Sequence, residues 1–229
     1  MNQGEDFRKF ALSNTSAKGS EIDSMGKFQE KMYGEKNSLT PYILEEREMR
    51  VTQMDIFSRL MRERILWLSG PVNEQMSTVV QAQLMYLDNS GESDISMYIS
   101  TPGGSVSSGL SIVSVMEYIK CDVSTINTGM AASMGAILLG AGTKGKRFSL
   151  NYSRVMLHQV SGGAEGNIND MEITLAETKK YNDILFGLLG KYTDKDPKQV
   201  KIDATRDFWM NPQESLDYGI IDDTVKSKK

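Results

Sequence analysis

His158 is the only histidine among 229 residues, and Cys121 is the only cysteine. A serine nucleophile needs a general base that titrates near neutrality, and imidazole is the side chain that does. If this chain holds a histidine base, that base is His158. It follows Val155-Met156-Leu157 and precedes Gln159 and the pliable Ser161-Gly162-Gly163, a position at the end of a strand. The serine that invites such a partner is Ser133, in Gly129-Met130-Ala131-Ala132-Ser133-Met134-Gly135, at the beginning of a helix of small residues. Unpaired N–H groups and the positive end of the helix dipole converge there and stabilise an anion. The pattern is not the Gly-x-Ser-x-Gly nucleophile elbow. Many carboxylates are available as a third member. Asp207, in Thr205-Arg206-Asp207-Phe208-Trp209-Met210, suits the role because large apolar neighbours would shield it. A plainer reading fits the same residues, with Ser133 capping or packing a tight helix and His158 serving as a satisfied structural histidine.

A second glycine turn, Thr101-Pro102-Gly103-Gly104, also follows a strand. In open α/β sheets ligands bind at the carboxyl ends of strands, and glycine lets a backbone N–H approach a ligand with no side chain in the way. Taken alone, such turns are usually only turns.

The elements that must position these residues read as a helix-and-strand rhythm. Ile56, Phe57, Leu60 and Met61 share a helical face, and Ile65 to Leu68 reads as a buried strand. Met76, Val79, Val80, Leu84 and Leu87 give a helix, Ile95 to Ile99 a strand, Leu110 to Ile119 a helix and Val123 to Ile126 a strand. Ala131 to Leu139 reads as the next helix, followed by short strands around Arg147 to Leu150 and Val155 to Leu157. Asn169 with Glu172 predicts the start of a long amphipathic helix running to Gly190. Asp196-Pro197 and Asn211-Pro212 each set a capping side chain before a proline at the first helical position, and Gly219 closes the last helix. Alternation over this length predicts an α/β domain with a largely parallel sheet. The evenly mixed charges and sparse apolar residues of 1–40 predict a poorly packed leader, and 41–229 the folded domain.

Composition closes several classes. Lys plus Arg number 26 against 30 Asp plus Glu, a net charge of -4, which disfavours an electrostatic nucleic-acid binder. One cysteine and one histidine cannot build an intramolecular disulfide, a zinc finger or a His/Cys metal cluster, so no metal is expected. A lone cysteine beside 15 methionines fits a reducing cytosol, and the first twenty residues, with Glu5 and Asp6, lack a secretory apolar run. A cytoplasmic location follows as the expectation. The longest uncharged stretch, Val123 to Thr143, holds Asn127, Gly129, Ser133, Gly135, Gly140 and Gly142, too polar and too broken for a membrane span.

Six ordered motifs carry a resemblance. Phe57-Ser58-Arg59-Leu60, Thr101-Pro102-Gly103-Gly104, Gly129 to Gly135, Gly145-Lys146-Arg147-Phe148, Ser153 to Gln159 and Thr205-Arg206-Asp207 together closely resemble the proteolytic subunits of the Clp protease family, over about residues 40 to 225. The resemblance implies a crotonase-like α/β fold of repeated βαβ units with a protruding handle helix, at about residues 160–190. It implies a serine peptidase with a triad of Ser133, His158 and Asp207, and an oxyanion hole made by the backbone N–H groups of Gly104 and Met134. Extended substrate would pair beside Gly103 and the Gly162-Gly163 segment. It further implies two stacked heptameric rings around a closed chamber, of this chain alone or mixed with a paralogous subunit, joined through the handle. An AAA+ unfoldase would feed unfolded polypeptides, docking in apolar clefts whose positions match Tyr98, Tyr118, Phe148 and Val225. No cofactor is expected on this chain, and ATP would be used by the unfoldase, since no Gly-x-x-x-x-Gly-Lys-[Ser/Thr] loop is present.

Three departures stand out. Thr205 replaces the usual acidic residue before Arg-Asp, which puts ring coupling in question, and Val160 replaces the usual proline after His-Gln. Around Met49 to Met54 the usual Gly-Glu-Arg is missing, so neither an axial loop nor a self-processing point can be assigned. The leading expectation is the peptidase core of an ATP-dependent protease serving protein quality control. The alternative is a catalytically weak ring subunit that scaffolds the chamber and docks the unfoldase. A CoA-thioester hydratase of similar fold is disfavoured, because it leaves the ordered serine, histidine and aspartate unexplained.

Overall fold

The computed structural model describes the backbone of residues 42–47 and 50–225, and side chains from residue 54 onward. The expected leader, 1–40, lies outside the described residues. Two compact units meet in sequence between Ile56 and Phe57. In the first, strands β1 (Tyr42–Arg47) and β2 (Arg50–Asp55) pair antiparallel, Tyr42 opposite Asp55 and Arg47 opposite Arg50.

The second unit is the α/β domain. After α1 (Ile56–Arg62) come β3 (Ile65–Ser69), α2 (Glu74–Asn89), β4 (Ile95–Thr101), α3 (Val106–Tyr118) and β5 (Val123–Ala132). Strands β3, β4 and β5 are parallel neighbours, each pair joined by a crossover helix. Period-two alternation sends Leu66, Leu68, Ile95, Met97 and Ile99 to one buried face. There they meet Val80, Leu84 and Leu87 of α2 and Ile112, Val113 and Met116 of α3 in one core. Asn73 starts α2 by accepting from the Met76 N–H at 2.9 Å, and Ser105 starts α3 by accepting from Ser108 N–H at 3.3 Å.

The remaining elements are α4 (Met134–Gly140), β6 (Arg147–Leu150), β7 (Arg154–Leu157), α5 (Ile168–Thr193), α6 (Pro197–Asp203), β8 (Phe208–Met210), α7 (Pro212–Tyr218) and β9 (Asp223–Val225). Strand β5 is longer than its apolar pattern predicts, and the segment expected to open a helix at Ala131 is still strand. The cause is a change of partner. Thr125–Asn127 pair with β6, whereas Met130–Ala132 pair in parallel with β7. Strand β8 then pairs antiparallel with β7, and β9 adds to β6. The long helix is capped two residues earlier than predicted and runs on to Thr193 rather than Gly190: Asn167 Oδ1, not Asn169, accepts the first-turn N–H, from Asp170 at 3.0 Å. The two predicted Asx-Pro starts hold, Asn211 forming a full capping box with Glu214, and Gly219 ends α7 at φ 91°.

A buried ion pair fastens the end of the chain to this frame. Arg147, 3% exposed, binds Asp222 through Nη2 to Oδ1 at 2.6 Å and Nε to Oδ2 at 2.8 Å. The N–H groups of Gly145 and Arg147 also donate to Oδ2, and Arg147 donates onward to the carbonyls of Tyr192 and Gly219. Burial alone would raise the Asp222 carboxyl, but the hydrogen bonds and charge of Arg147 and the two N–H groups outweigh it and hold it below the usual carboxylate range. Among the described residues no helix is long and apolar enough to cross a membrane, and no group of three or more His, Cys, Asp or Glu is placed to hold a metal ion.

Candidate active site

Ser133 sits at the junction of β5 and α4 with φ 55° and ψ -121°, a conformation that non-glycine residues rarely adopt. Its N–H donates to the Met156 carbonyl at 2.9 Å, which holds the junction against β7. Ser133 is the N-cap residue of α4 by position, but its side chain makes no cap bond to the helix. Oγ instead lies 2.8 Å from His158 Nε2. With the proton on Nδ1, Ser133 donates and His158 accepts, the arrangement a general base requires. The strained turn is thus present without the glycine pattern that usually announces it. Gly135 makes room for it: a Cβ there would stand 2.6 Å from Thr101 Cγ2.

Sheet register assembles the three candidates. Ala132 lies opposite Met156 in the parallel β5–β7 pair, which delivers Ser133 and His158 to the same strand ends. In the antiparallel β7–β8 pair Leu157 faces Phe208, so the next residues outward are His158 and Asp207. Asp207 Oδ1 is 3.6 Å from His158 Nδ1, an ion-pair separation too long for a hydrogen bond. The shielding expected of its apolar neighbours is absent. Asp207 is 63% exposed, because Met210 turns into the core and Trp209, 42% exposed, lies on the surface.

The Thr101–Gly104 turn packs against this junction. Thr101 Oγ1 accepts from Gly103 N–H and donates to the Gly70 carbonyl. Val72 bridges the turn from outside: its N–H donates to Gly103 O and its carbonyl accepts from Ser105 N–H, both at 2.8 Å. At Gly104, φ 146°, a Cβ would lie 2.3 Å from Val72 O, so only glycine fits. Gly104, Ser133, Met134 and His158 line one cavity of about 50 Å³. Val106, Ile137, Leu157, Leu185, Phe186 and Leu189 supply its apolar lining, and Gln159, Ser161 and Asn182 part of its polar lining. Gly162 and Gly163 lie in the exposed segment that continues from His158.

Of the four expected docking residues, three share a surface. Register aligns Trp67, Tyr98, Ile126, Phe148 and Asp223 in one row, and Val225 faces the same way two residues on. Tyr98 stacks on Trp67, ring centroids 5.3 Å apart and planes within 1°. Tyr118 stands apart from this row at the end of α3 and is 76% exposed.

Residues 46–228 match the family model described as Clp protease. The chain belongs to the Clp protease family. It is 46% identical to the ATP-dependent Clp protease proteolytic subunit of Bacteroides thetaiotaomicron over 98% of this chain and 100% of the relative. Subunits of the same name are 42% identical in Porphyromonas gingivalis, over 98% of this chain and 99% of the relative, and 44% in Bacteroides fragilis strain YCH46, over 98% and 100%.

Sequence reasoning missed three residues of this Clp protease: Trp67 in the row with Tyr98, and Val72 and Asn182 beside the Ser133 site. Trp67 had a signal, as the outward residue of the alternating Ile65 to Ser69 run. Val72 and Asn182 had none, since both act on backbone distant in sequence. Val160 N–H, a donor that proline would lack, bonds Asn182 Oδ1 at 3.0 Å. Thr205 caps its own helix by donating to the Lys201 carbonyl, and its own carbonyl accepts from Gln159 Nε2.

Proposed function

We propose that this chain is the serine endopeptidase subunit of an ATP-dependent Clp protease and cuts unfolded polypeptides to short peptides. The observation that carries the reading is the 2.8 Å contact of Ser133 Oγ with His158 Nε2, with Asp207 next in register beyond the imidazole. Ser133 Oγ attacks the peptide carbonyl carbon while its proton passes to His158 Nε2. The resulting oxyanion is met by the N–H groups of Gly104 and Met134, one from a turn without side chains and one from the first turn of α4, where no preceding carbonyl is available. Collapse breaks the C–N bond, and the leaving amine takes the proton from His158. Water then gives a proton to His158 and adds to the acyl-enzyme carbonyl, and the proton returns to Ser133 as the acid departs. Asp207 holds the ring orientation and favours the imidazolium that forms.

Substrate backbone lies extended between Gly103 and the Gly162-Gly163 segment. ATP is consumed by a partner unfoldase rather than by this chain, which has no phosphate-cradling loop of the Walker type. The exposed Ile168, Ile173, Leu175 and Ile184 of α5 support a handle that joins two seven-membered rings. Tyr98, Phe148 and Val225, with Trp67, form the apolar face offered to the unfoldase, and Tyr118 belongs to it only if a neighbouring subunit completes the cleft. The location is the cytoplasm, and residues 1–40 are a leader. A subunit that only scaffolds and docks is not favoured, because the relatives bear the name of the proteolytic subunit.

The test is hydrolysis of a short fluorogenic peptide by the purified assembly, with Ser133→Ala at matched size by light scattering. Cleavage that vanishes in the variant is the expected result. No cleavage by a correctly assembled wild type, with or without an unfoldase, defeats the reading.

A further inference from the structure

The segment that leaves β7 after His158 has no strand partner, and residues 159–165 are neither helix nor strand. Among the described residues, the backbone of Gln159 to Gly163 makes one hydrogen bond, from Val160 N–H to Asn182 Oδ1 at 3.0 Å. Asn182 stands on α5 one turn before Leu185 and Phe186, and all three line the cavity beside Ser133. Beyond Val160 the chain runs through Ser161, Gly162 and Gly163, all exposed, and a Cβ on either glycine would meet nothing within 4 Å. Adjacent glycines carry the greatest backbone freedom. One side chain therefore fixes where a very free stretch of backbone starts its course past the serine.

We propose that Asn182 is a positioning residue for peptide cleavage: its Oδ1 holds Val160 N–H and so sets the height at which residues 159–163 meet an extended substrate above Ser133. This rests on the reading of that segment as the substrate-pairing edge. A substrate that docks on an edge already held in place gains its backbone bonds directly. One that docks on a loose edge must also order it, and its affinity falls by that cost. The role is in binding and not in proton transfer, since Asn182 has no ionisable group and makes no hydrogen bond to Ser133 or His158. Because Asn182 belongs to α5, the bond also makes the position of the edge depend on the seating of that helix.

Three variants separate this role from simple support. Asn182→Ala removes the acceptor, Asn182→Asp keeps one, and Val160→Pro removes the donor. Each is made in the full chain and compared at matched assembly size. kcat and KM are measured on a fluorogenic peptide extending several residues to the acyl side of the cleaved bond. Labelling of Ser133 by a small fluorophosphonate, which needs no strand pairing, is timed beside it. KM should rise about 3- to 10-fold in Asn182→Ala, the size of one hydrogen bond's net contribution, with kcat and labelling rate unchanged. Asn182→Asp should restore KM, and adding Asn182→Ala to Val160→Pro should raise it no further. An unchanged KM in Asn182→Ala, no restoration by Asn182→Asp, or an equal loss of labelling and turnover overturns the positioning role. A wild-type assembly that neither labels nor cuts overturns the peptidase reading itself, so the two failures are told apart by the wild type.

Discussion

Gly103 stands so close to Met134 that a Cβ on it would lie 2.9 Å from the Met134 amide nitrogen, and 2.7 Å from Ser133 Cβ. The neighbours are backbone or the nucleophile itself, with no flexible tip to swing aside, and Gly103 also has φ 89°. Gly103→Ala should therefore push the Thr101–Gly104 turn away from the α4 start and displace a proposed oxyanion donor. Loss of one such donor costs about 100- to 1,000-fold in kcat. Turnover of a fluorogenic peptide by the assembled variant reads the effect directly, and a kcat near that of the wild type would refute the arrangement.

Protonation of His158 at Nε2 abolishes the acceptor for the Ser133 hydroxyl. Removing the imidazole does the same, so peptide turnover and fluorophosphonate labelling of Ser133 should fall together. His158→Ala should slow both by about 100- to 10,000-fold. A labelling rate in His158→Ala close to that of the wild type, in an assembly shown to be intact, would remove His158 from the role of base.

Asp207 should matter less than His158. It is exposed and 3.6 Å from Nδ1, so water screens its charge and no short hydrogen bond locks the tautomer. Asp207→Asn is expected to lower kcat by about 10- to 100-fold, short of the roughly 10,000-fold loss seen where such an aspartate is buried and hydrogen-bonded. If Asp207→Asn proves as damaging as His158→Ala under the same assay, the working geometry of the triad is tighter than the one described.

What could be read from the sequence was what local chemistry decides. Asp196, Asn211 and Gly219 mark helix ends through their own side chains or backbone freedom, and all three do so in the structure. Asn167 and Asn169 show the limit. Each has an acidic residue three positions on, Asp170 and Glu172, so the spacing cannot choose between them. Strand β5 runs to Ala132 because distant strands pair with it there, Thr101 of β4 with Ala131 and β7, 24 residues away, with Met130 to Ala132, and β8 and β9 are too short for any period to register. At the site, Ser133 and His158 were legible because the chain offers one imidazole and one serine at the start of a small-residue helix. The exposure of Asp207 was not, since which way its apolar neighbours turn is settled by β8 pairing with β7.

Arg147 and Asp222 give a stability prediction with a definite sign. The folded Asp222 carboxyl lies below its ordinary value, so as the pH falls the unfolded chain takes up this proton before the folded one does. The pair's contribution is complete above about pH 4 and is lost as the pH drops through the lower folded value. Asp222→Asn keeps the shape but leaves the 3% exposed guanidinium without its counter-charge. Breaking a buried pair from one side costs about 3 to 5 kcal/mol, and the lower end applies here because Asp222, 16% exposed, keeps some contact with water. Urea unfolding at neutral pH should therefore show the variant destabilised by about 3 kcal/mol. The gap to the wild type should narrow as the pH is stepped from about 5 to 3. A gap that widens with acid, or none at neutral pH, would mean that β9 is held to β6 by its ladder and packing rather than by this ion pair.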